Sequence, residues 1–186
     1  MRWEIDKSFD FCYGHRVWSQ TLNKSFSLDN CLMCRHLHGH QGKIKISLAS
    51  DTLKSGMVTD FKHLNWFKEW LDSTIDHKFI IDLNDPLNFD LASDYTNSSG
   101  EIDLNRLNHH KDGYYTPKLE LLPPKAPQAL IEKYEGFVFV DFIPTSENLT
   151  AWIFEIVSKR MDPLGVEVSS VEFWETPKSH CKVVKG

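Results

Sequence analysis

The sequence predicts an α+β fold, in which an antiparallel sheet carries two helices packed on one face. Strand-like segments stand near both ends of the chain, and the longest helical patterns lie between them, an order typical of this class. A length of 186 residues favours one domain, 1–186, because a chain of this size buries roughly 70% of its unfolded surface. With 41% hydrophobic and 25% charged residues, the composition is that of a globular protein.

The first half of the chain supplies two strands and a helix. Residues 2–15 are rich in aromatic and β-branched side chains, which predicts a strand. Residues 43–48 alternate polar and apolar, which predicts a strand with one solvated face. Residues 62–75 have apolar side chains at helical spacing, and Asp60 stands where it can cap that helix.

The second half contains an inserted excursion and then returns to regular elements. Residues 85–136 hold Asn-, Ser- and Asp-rich loops and a Pro-Pro pair, and we expect a short helix near Leu104. Residues 137–140 read as a buried strand, and a helix follows to residue 161, with Thr145 or Ser146 as its cap. Two strands, 166–174 and 180–184, complete the pattern.

Bulk properties exclude some classes of function. A net charge of −5 argues against a general nucleic-acid binder, which carries a basic face. No apolar run of ~18 residues predicts a membrane span, and the first residues lack the apolar run of a signal peptide, so we expect a cytoplasmic protein. We therefore expect reduced thiols at the four cysteines, which are Cys12, Cys31, Cys34 and Cys181.

The sharpest local motif is His38-Gly39-His40. Side chains two residues apart on a strand point the same way, so both imidazoles can bind one metal ion, and neutral imidazole suits zinc. A catalytic zinc usually has three protein ligands, and His15 ends the strand-like segment that precedes this motif. These residues predict a metal site, although a histidine pair at this spacing also occurs without any metal.

Neighbouring residues leave two other metal hypotheses open. Cys31 and Cys34 could join His38 and His40 in a structural zinc site, although no second cysteine pair with ribbon spacing follows. The pair His109-His110 in the excursion could also bind metal, but solvent-exposed histidines explain it equally well.

Four further side chains could carry chemistry. Cys34, four residues before His38, becomes a useful base or nucleophile if a metal lowers its pKa. Asp76 beside His77 is a candidate proton relay, or simply the end of a helix. Glu175 follows a strand, where its carboxylate could accept two hydrogen bonds from a guanidine-like ring edge, or could be an ordinary charged residue.

Taken together, these segments resemble the motifs of a known enzyme family. In chain order they are FCYGHR (11–16), CRHLHGH (34–40), GMVTDF (56–61), DH (76–77) with LN (83–84), PTSENL (144–149) and WET (174–176). They resemble the 6-pyruvoyl-tetrahydropterin synthase family. Three residues separate Cys34 from His38, a gap that resembles the bacterial 6-carboxy-tetrahydropterin synthases of queuosine biosynthesis.

The resemblance implies a reaction and a zinc cofactor. The implied enzyme is a lyase that converts 7,8-dihydroneopterin triphosphate to 6-carboxy-5,6,7,8-tetrahydropterin, acetaldehyde and triphosphate. The implied zinc ligands are His15, His38 and His40. Pyruvoyl synthase activity on the same substrate, or a pterin-binding relative without catalysis, are the alternatives.

The resemblance also implies roles for the remaining site residues. Cys34 would be the base, and Asp76 with His77 would relay the proton. The implied substrate-binding residues are Glu175, Thr145 and Ser146.

The implied architecture is the tunnelling fold (T-fold), whose members assemble as homohexamers built from two trimers. The family has only a short link where residues 85–136 stand, so the insertion is a departure from it. Met33 stands where a basic residue is expected, which leaves Arg16, Arg35 and Lys43 as candidates for the triphosphate site.

Overall fold

In the computed structural model, residues 1–20 and 33–186 are described. Their contacts divide into two compact units. We call the first the terminal unit, and it comprises Met1–Cys12, His40–Asp76 and Thr145–Gly186. The second, which we call the central unit, comprises Tyr13–Gly39 and His77–Pro144.

The described residues form eight strands and four α-helices. The strands are β1 (Trp3–His15), β2 (His38–Ser50), β3 (Lys78–Asp82), β4 (Leu107–His109), β5 (Tyr114–Pro117), β6 (Phe137–Val140), β7 (Glu167–Thr176) and β8 (Ser179–Val184). The helices are α1 (Asn65–Thr74), α2 (Asn88–Leu91), α3 (Gln128–Glu135) and α4 (Ser146–Met161). The α+β prediction is confirmed. No helix among the described residues has the length and apolar character needed to cross a membrane.

The terminal unit places the two long helices on its strands. Its strand order is β1-β2-β7-β8, and β7 pairs antiparallel with both β2 and β8. Phe67 of α1 meets Phe9 of β1 edge-to-face at 5.0 Å, and α4 packs against β7 and β8. Burial of such aromatic pairs stabilises the unit through apolar area and ring geometry.

Both predicted helix starts have the expected caps. Asp60 accepts a hydrogen bond from the backbone N–H of Lys62 and caps the 3₁₀ turn Phe61–Leu64, which leads into α1. Thr145 is the N-cap of α4, and its hydroxyl accepts a hydrogen bond from the Asn148 N–H at 3.2 Å. Each cap satisfies a backbone donor that the helix itself leaves unpaired.

The strand pairing of the central unit corrects the predicted all-antiparallel sheet. Its strand order is β4-β5-β6-β3-β1, and β3 pairs parallel with both β1 and β6. Parallel neighbours need a long crossover connection, which a hairpin turn cannot supply. Residues 83–136 provide that connection between β3 and β6.

The excursion is more regular than its composition indicates. It forms α2, β4, β5 and α3, and the predicted short helix near Leu104 is the 3₁₀ turn Leu104–Arg106. Its hydrophobic side chains close over a core shared with β3 and β6. The buried members of that core are Ile81, Ala92, Tyr95, Leu107, Leu122, Tyr134 and Phe139.

A buried carboxylate gives the terminal unit a pH-dependent contribution to stability. Glu172 of β7 is 6% exposed and receives the ammonium of Lys45 at 2.7 Å. Burial raises its pKa, but the hydrogen bond and charge of Lys45, with Lys182 and His180, outweigh burial and hold the pKa below the ordinary 4.5. The resulting stability is present above the unfolded pKa and is lost as pH falls through the folded pKa.

We therefore expect Glu172→Gln to lower the free energy of unfolding by about 1–2 kcal/mol at pH 7. Urea unfolding at pH 7 and at pH 4 would measure it. The difference in the free energy of unfolding between wild type and variant should be smaller at pH 4 than at pH 7. An equal difference at both pH values would contradict the proposed linkage.

Candidate active site

Three histidines predicted as metal ligands lie together. His15 is the last residue of β1 and is fully buried, whereas His38 and His40 stand at the start of β2 and are half-buried. One ring nitrogen from each histidine lies within 4.8 Å of the other two, so the three residues could hold a metal ion. Two of these candidate ligands come from one strand and the third from the end of another.

The hydrogen bonds of these rings determine which nitrogens face the site. His15 Nδ1 lies 2.6 Å from the Pro144 carbonyl oxygen, and His38 Nδ1 lies 2.7 Å from the His36 carbonyl oxygen. A carbonyl only accepts, so each Nδ1 carries a hydrogen, and Nε2 is the nitrogen of each ring that remains to bind a cation. The two Nε2 atoms are 3.1 Å apart, a separation at which two lone pairs repel unless a shared proton or a metal ion lies between them. The donor set therefore fits a metal ion that prefers imidazole ligands.

Glu175 lies beside the third histidine. Its Oε1 is 3.5 Å from His40 Nε2, and its side chain is half-buried near the end of β7. The carboxylate thus stands at the edge of the histidine cluster, where it can orient a ligand ring or accept hydrogen bonds from a bound molecule.

Two glycines permit the close approach of strands at this site. A Cβ on Gly39, between the two β2 histidines, would lie 3.1 Å from the Tyr13 carbonyl oxygen. A Cβ on Gly14, next to His15, would lie 2.4 Å from the Phe79 ring, which stands opposite it in the parallel pair of β1 and β3.

Replacement of Gly14 by alanine should therefore displace the Phe79 ring. We expect a loss of about 1–3 kcal/mol in the free energy of unfolding, as for other overpacked sites. Guanidinium unfolding would measure it, and Phe79→Leu, which shortens the opposing side chain, should restore part of the loss in the double variant. A Gly14→Ala protein as stable as the wild type would contradict the predicted clash.

The thiol of Cys34 lies on a short turn that is tied to the chain before it. The residue is half-buried in the 3₁₀ turn Met33–Arg35 and is a free thiol. Its carbonyl accepts a hydrogen bond from the Val17 N–H at 2.7 Å, and its N–H donates to Gln20 Oε1 at 3.0 Å. The alternative structural zinc site required Cys31, which lies outside the described residues.

The predicted Asp76-His77 relay lies between α1 and β3. Asp76 Oδ1 accepts a hydrogen bond from the Cys12 N–H at 2.7 Å. His77 has a φ of 58°, a left-handed conformation that is uncommon for histidine, and it is exposed. Backbone strain of this kind persists where the surrounding structure enforces it and concentrates at functional positions.

The remaining predicted site residues already have partners within the folded chain. The Thr145 hydroxyl already accepts the capping hydrogen bond of α4, and the Ser146 hydroxyl donates to Glu147 at 3.3 Å. The excursion histidines stack on tyrosines, His109 on Tyr115 and His110 on Tyr114, and burial lowers the pKa of His110.

One predicted phosphate ligand needs correction. The Arg16 side chain is 10% exposed and forms an ion pair with Asp85 at 2.5 Å, so it is not an open cation for a triphosphate. Arg35 is exposed, and the Lys43 ammonium lies 4.3 Å from the centre of the Trp174 ring. The sequence reasoning missed Asp85 as a partner, although it directly follows the Leu-Asn pair noted above.

Comparison with known proteins shows the family to which the chain belongs. The family model described as 6-pyruvoyl tetrahydropterin synthase matches residues 4–185. The chain is 33% identical over 191 aligned positions to the 6-carboxy-5,6,7,8-tetrahydropterin synthase of Aquifex aeolicus, with 96% of both chains covered. The match therefore runs through the excursion.

Two solved structures share the fold. An uncharacterized protein from Wolinella succinogenes is 50% identical, with a TM-score of 0.94 over 100% of this chain and 99% of that one. The 6-pyruvoyl tetrahydropterin synthase of Caenorhabditis elegans is 18% identical, with a TM-score of 0.56 over 100% of this chain and 97% of that one. The second likeness confirms the predicted T-fold and no more.

Proposed function

We propose, from the premise that this chain belongs to the 6-pyruvoyl tetrahydropterin synthase family, that it is a zinc-dependent lyase of queuosine (7-deazaguanine) biosynthesis. Its substrates are 7,8-dihydroneopterin triphosphate and one water molecule, and its products are 6-carboxy-5,6,7,8-tetrahydropterin, acetaldehyde and triphosphate. The observation that carries the proposal is the pair of imidazoles whose Nε2 atoms lie 3.1 Å apart, with His40 close to both.

The carboxy product is favoured over the pyruvoyl product by two observations. The relative at 33% identity is named for the carboxy product, whereas the pyruvoyl synthase of C. elegans shares the fold at 18% identity. The three-residue gap between Cys34 and His38 also resembles the carboxy branch.

In this proposal, His15, His38 and His40 hold zinc through ring nitrogens. The ion, when bound, acts as a Lewis acid toward the side-chain oxygens of the substrate. The carbonyls of Pro144 and His36 fix the tautomers of two ligand rings, which keeps their Nε2 lone pairs directed at the ion.

Cys34, Asp76 and His77 would move the protons. The Cys34 thiolate would remove a proton from a carbon of the substrate side chain, since a thiolate rather than a thiol is the reactive form. The exposed His77 imidazole would exchange that proton with solvent. Asp76 would hold the turn that carries His77, consistent with its hydrogen bond to the Cys12 N–H.

Substrate recognition would fall to polar groups at the start of α4 and the end of β7. The Glu175 carboxylate can accept two hydrogen bonds from the amino-pyrimidine edge of a pterin. Thr145 and Ser146 would add hydroxyl or backbone contacts at the first turn of α4. A site that pairs these donors discriminates against analogues that lack them.

We also propose that the protein works in the cytoplasm, without membrane or nucleic-acid partners, as a homohexamer of two trimers. Support comes from the resemblance, in which assembly covers open sheet edges such as the exposed strand β8. Light scattering on the purified chain would measure the oligomer, and a monomeric active enzyme would contradict this assignment.

Product analysis tests the proposed reaction. Zinc-loaded protein would be incubated with 7,8-dihydroneopterin triphosphate, and pterins and acetaldehyde would be followed by chromatography. We expect carboxy-pterin and acetaldehyde from the wild type, and a loss of about 10²–10⁴-fold in rate with Cys34→Ala, the range for a general base. Cys181→Ala, which removes another half-buried free thiol, is the matched control.

The other outcomes separate the alternatives. A pyruvoyl product without acetaldehyde would keep the site and transfer the enzyme to the pyruvoyl branch. A folded, zinc-loaded protein that binds pterin without turnover would replace catalysis by a binding function.

A further inference from the structure

A single guanidinium joins three segments around the candidate site. Arg16 directly follows the metal-ligand candidate His15 at the end of β1. Its Nε donates to Asp85 Oδ2 at 2.5 Å, and its Nη1 donates to the Arg35 carbonyl oxygen at 2.9 Å. The side chain thus connects the end of β1, the first residues of the excursion and the turn that carries the thiol.

The turn that carries the thiol is held by residues 16–20 through its backbone. The Val17 N–H donates to the Cys34 carbonyl at 2.7 Å, and Arg16 donates to the next carbonyl, that of Arg35. Gln20 Oε1 accepts the Cys34 N–H at 3.0 Å. Three hydrogen bonds from one segment therefore set the position of a three-residue turn that has no buried side chain of its own.

The segment that holds the turn is itself anchored at buried carboxylates. The Asp85 side chain is fully buried, and its second oxygen accepts the Leu87 N–H at 2.9 Å, so its orientation toward Arg16 is determined. Trp18 Nε1 donates to Asp82 Oδ2 at 2.8 Å at the end of β3. Because a guanidinium presents its donors in a rigid plane, fixing one edge on Asp85 directs the other edge.

We infer that Arg16 is a positioning residue for the Cys34 thiol, with Asp85 of the excursion as its anchor. This inference rests on the proposed function, because it is the proposed base that Arg16 positions. It also gives the start of the excursion a structural role at the site, since Asp85 is the residue that orients the Arg16 guanidinium.

Two other roles for Arg16 make different predictions. A buried ion pair can serve folding alone, in which case the position of the Cys34 thiol in the folded protein does not depend on the geometry of Arg16. An arginine can also bind phosphate, in which case its replacement raises KM. Lysine keeps the positive charge but has no planar fork, so Arg16→Lys separates geometry from charge.

The test compares Arg16→Lys with Arg106→Lys in the zinc-loaded full chain. Arg106 is a control in the same unit, because its guanidinium is likewise held by two hydrogen bonds, here to the backbone carbonyls of Asp94 and Leu121. For Arg16→Lys we expect kcat to fall about 10²-fold with KM within about threefold, the effect of a misplaced catalytic group. We expect the control to keep both constants.

Alkylation of Cys34 provides a readout that needs no substrate. Iodoacetamide labelling would be followed by fragment-ion mass spectrometry, because Cys31 lies on the same tryptic peptide. We expect the labelling rate of Cys34 in Arg16→Lys to rise about fivefold or more as the half-buried thiol becomes accessible, with the zinc content unchanged. If the wild type proves inactive on the pterin substrate, this measurement still decides the role of Arg16.

Several results would overturn the inference. Equal labelling rates in the wild type, Arg16→Lys and Arg106→Lys would show that the thiol is positioned without this guanidinium. A rise in KM at unchanged kcat would assign Arg16 to substrate phosphate.

If Arg16→Lys does not fold, Gln20→Ala removes the hydrogen bond to the Cys34 N–H from a half-buried side chain. The same rise in labelling at Cys34 is then expected. An unchanged rate in a folded Gln20→Ala protein would contradict the inference that residues 16–20 position the thiol.

Discussion

Replacement of His38 by alanine is expected to abolish stoichiometric zinc binding and to reduce kcat/KM by about 10³-fold or more, since it removes the electrophile of the proposed reaction. His38 contributes one of the two facing Nε2 atoms, and the remaining ligands, His15 and His40, leave a two-coordinate site. Catalytic zinc sites in proteins need three protein ligands to retain the ion. Metal analysis after gel filtration would give the zinc content per chain.

The control for this experiment is His109→Ala. That ring stacks on Tyr115 in the excursion, away from the histidine cluster, so its removal should leave zinc content and kcat/KM unchanged. The far-ultraviolet circular dichroism of His38→Ala should match the wild type, because a catalytic metal site does not hold the fold together. Unfolding of His38→Ala would favour a structural metal, and full zinc retention would contradict the assignment of this ligand.

Replacement of Tyr134 by alanine should have the largest effect on stability, with a loss of about 3–5 kcal/mol in the free energy of unfolding. The ring is fully buried in the excursion core and meets Tyr95 edge-to-face at 4.6 Å. Its hydroxyl donates to Asp94 Oδ2 at 2.8 Å. The same hydroxyl accepts the Asp94 N–H at 3.3 Å. Tyr134→Phe keeps the ring and loses only these two hydrogen bonds, so it should cost about 1–2 kcal/mol.

Tyr134→Ala also tests whether residues 1–186 fold as the single domain that we propose. Five of the six tryptophans lie in the terminal unit, so tryptophan fluorescence reports mainly on that unit, whereas Tyr134 lies in the central unit. In a single cooperative domain, Tyr134→Ala lowers the urea midpoint seen by fluorescence and by circular dichroism equally. A fluorescence midpoint that stays at the wild-type value would show that the units unfold independently.

Local signals in the sequence were sufficient for the helices α1 and α4 and for the placement of His38 and His40 on one strand. The periodicity of α1 and α4 and the capping groups Asp60 and Thr145 act over four or five residues, so the chain itself displays them. The His38–His40 pair is likewise a matter of spacing on one strand. Only the resemblance to a family connected that pair firmly with His15.

The parts that escaped prediction depend on residues far apart in the chain. The parallel pairing of β3 with β6 joins segments separated by the whole excursion, and no local pattern records it. The pairing of Arg16 with Asp85 spans 69 positions, and neither residue stands out by type. The excursion core was missed because its buried side chains come from short elements among loops, where hydrophobic periodicity has no room to develop.

The pairing of β2 with β7 bears on how the protein is made in the cell. Residues 43–49 leave the ribosome well before residues 167–174, their partners along one edge. Until the last quarter of the chain is synthesised, that edge has no native partner, and it belongs to a strand whose Ile44, Ile46 and Leu48 are fully buried in the folded protein. An open strand edge next to apolar surface is a site for aggregation between nascent chains. Recombinant yield should therefore depend on slow synthesis at low temperature and on chaperones that shield such segments.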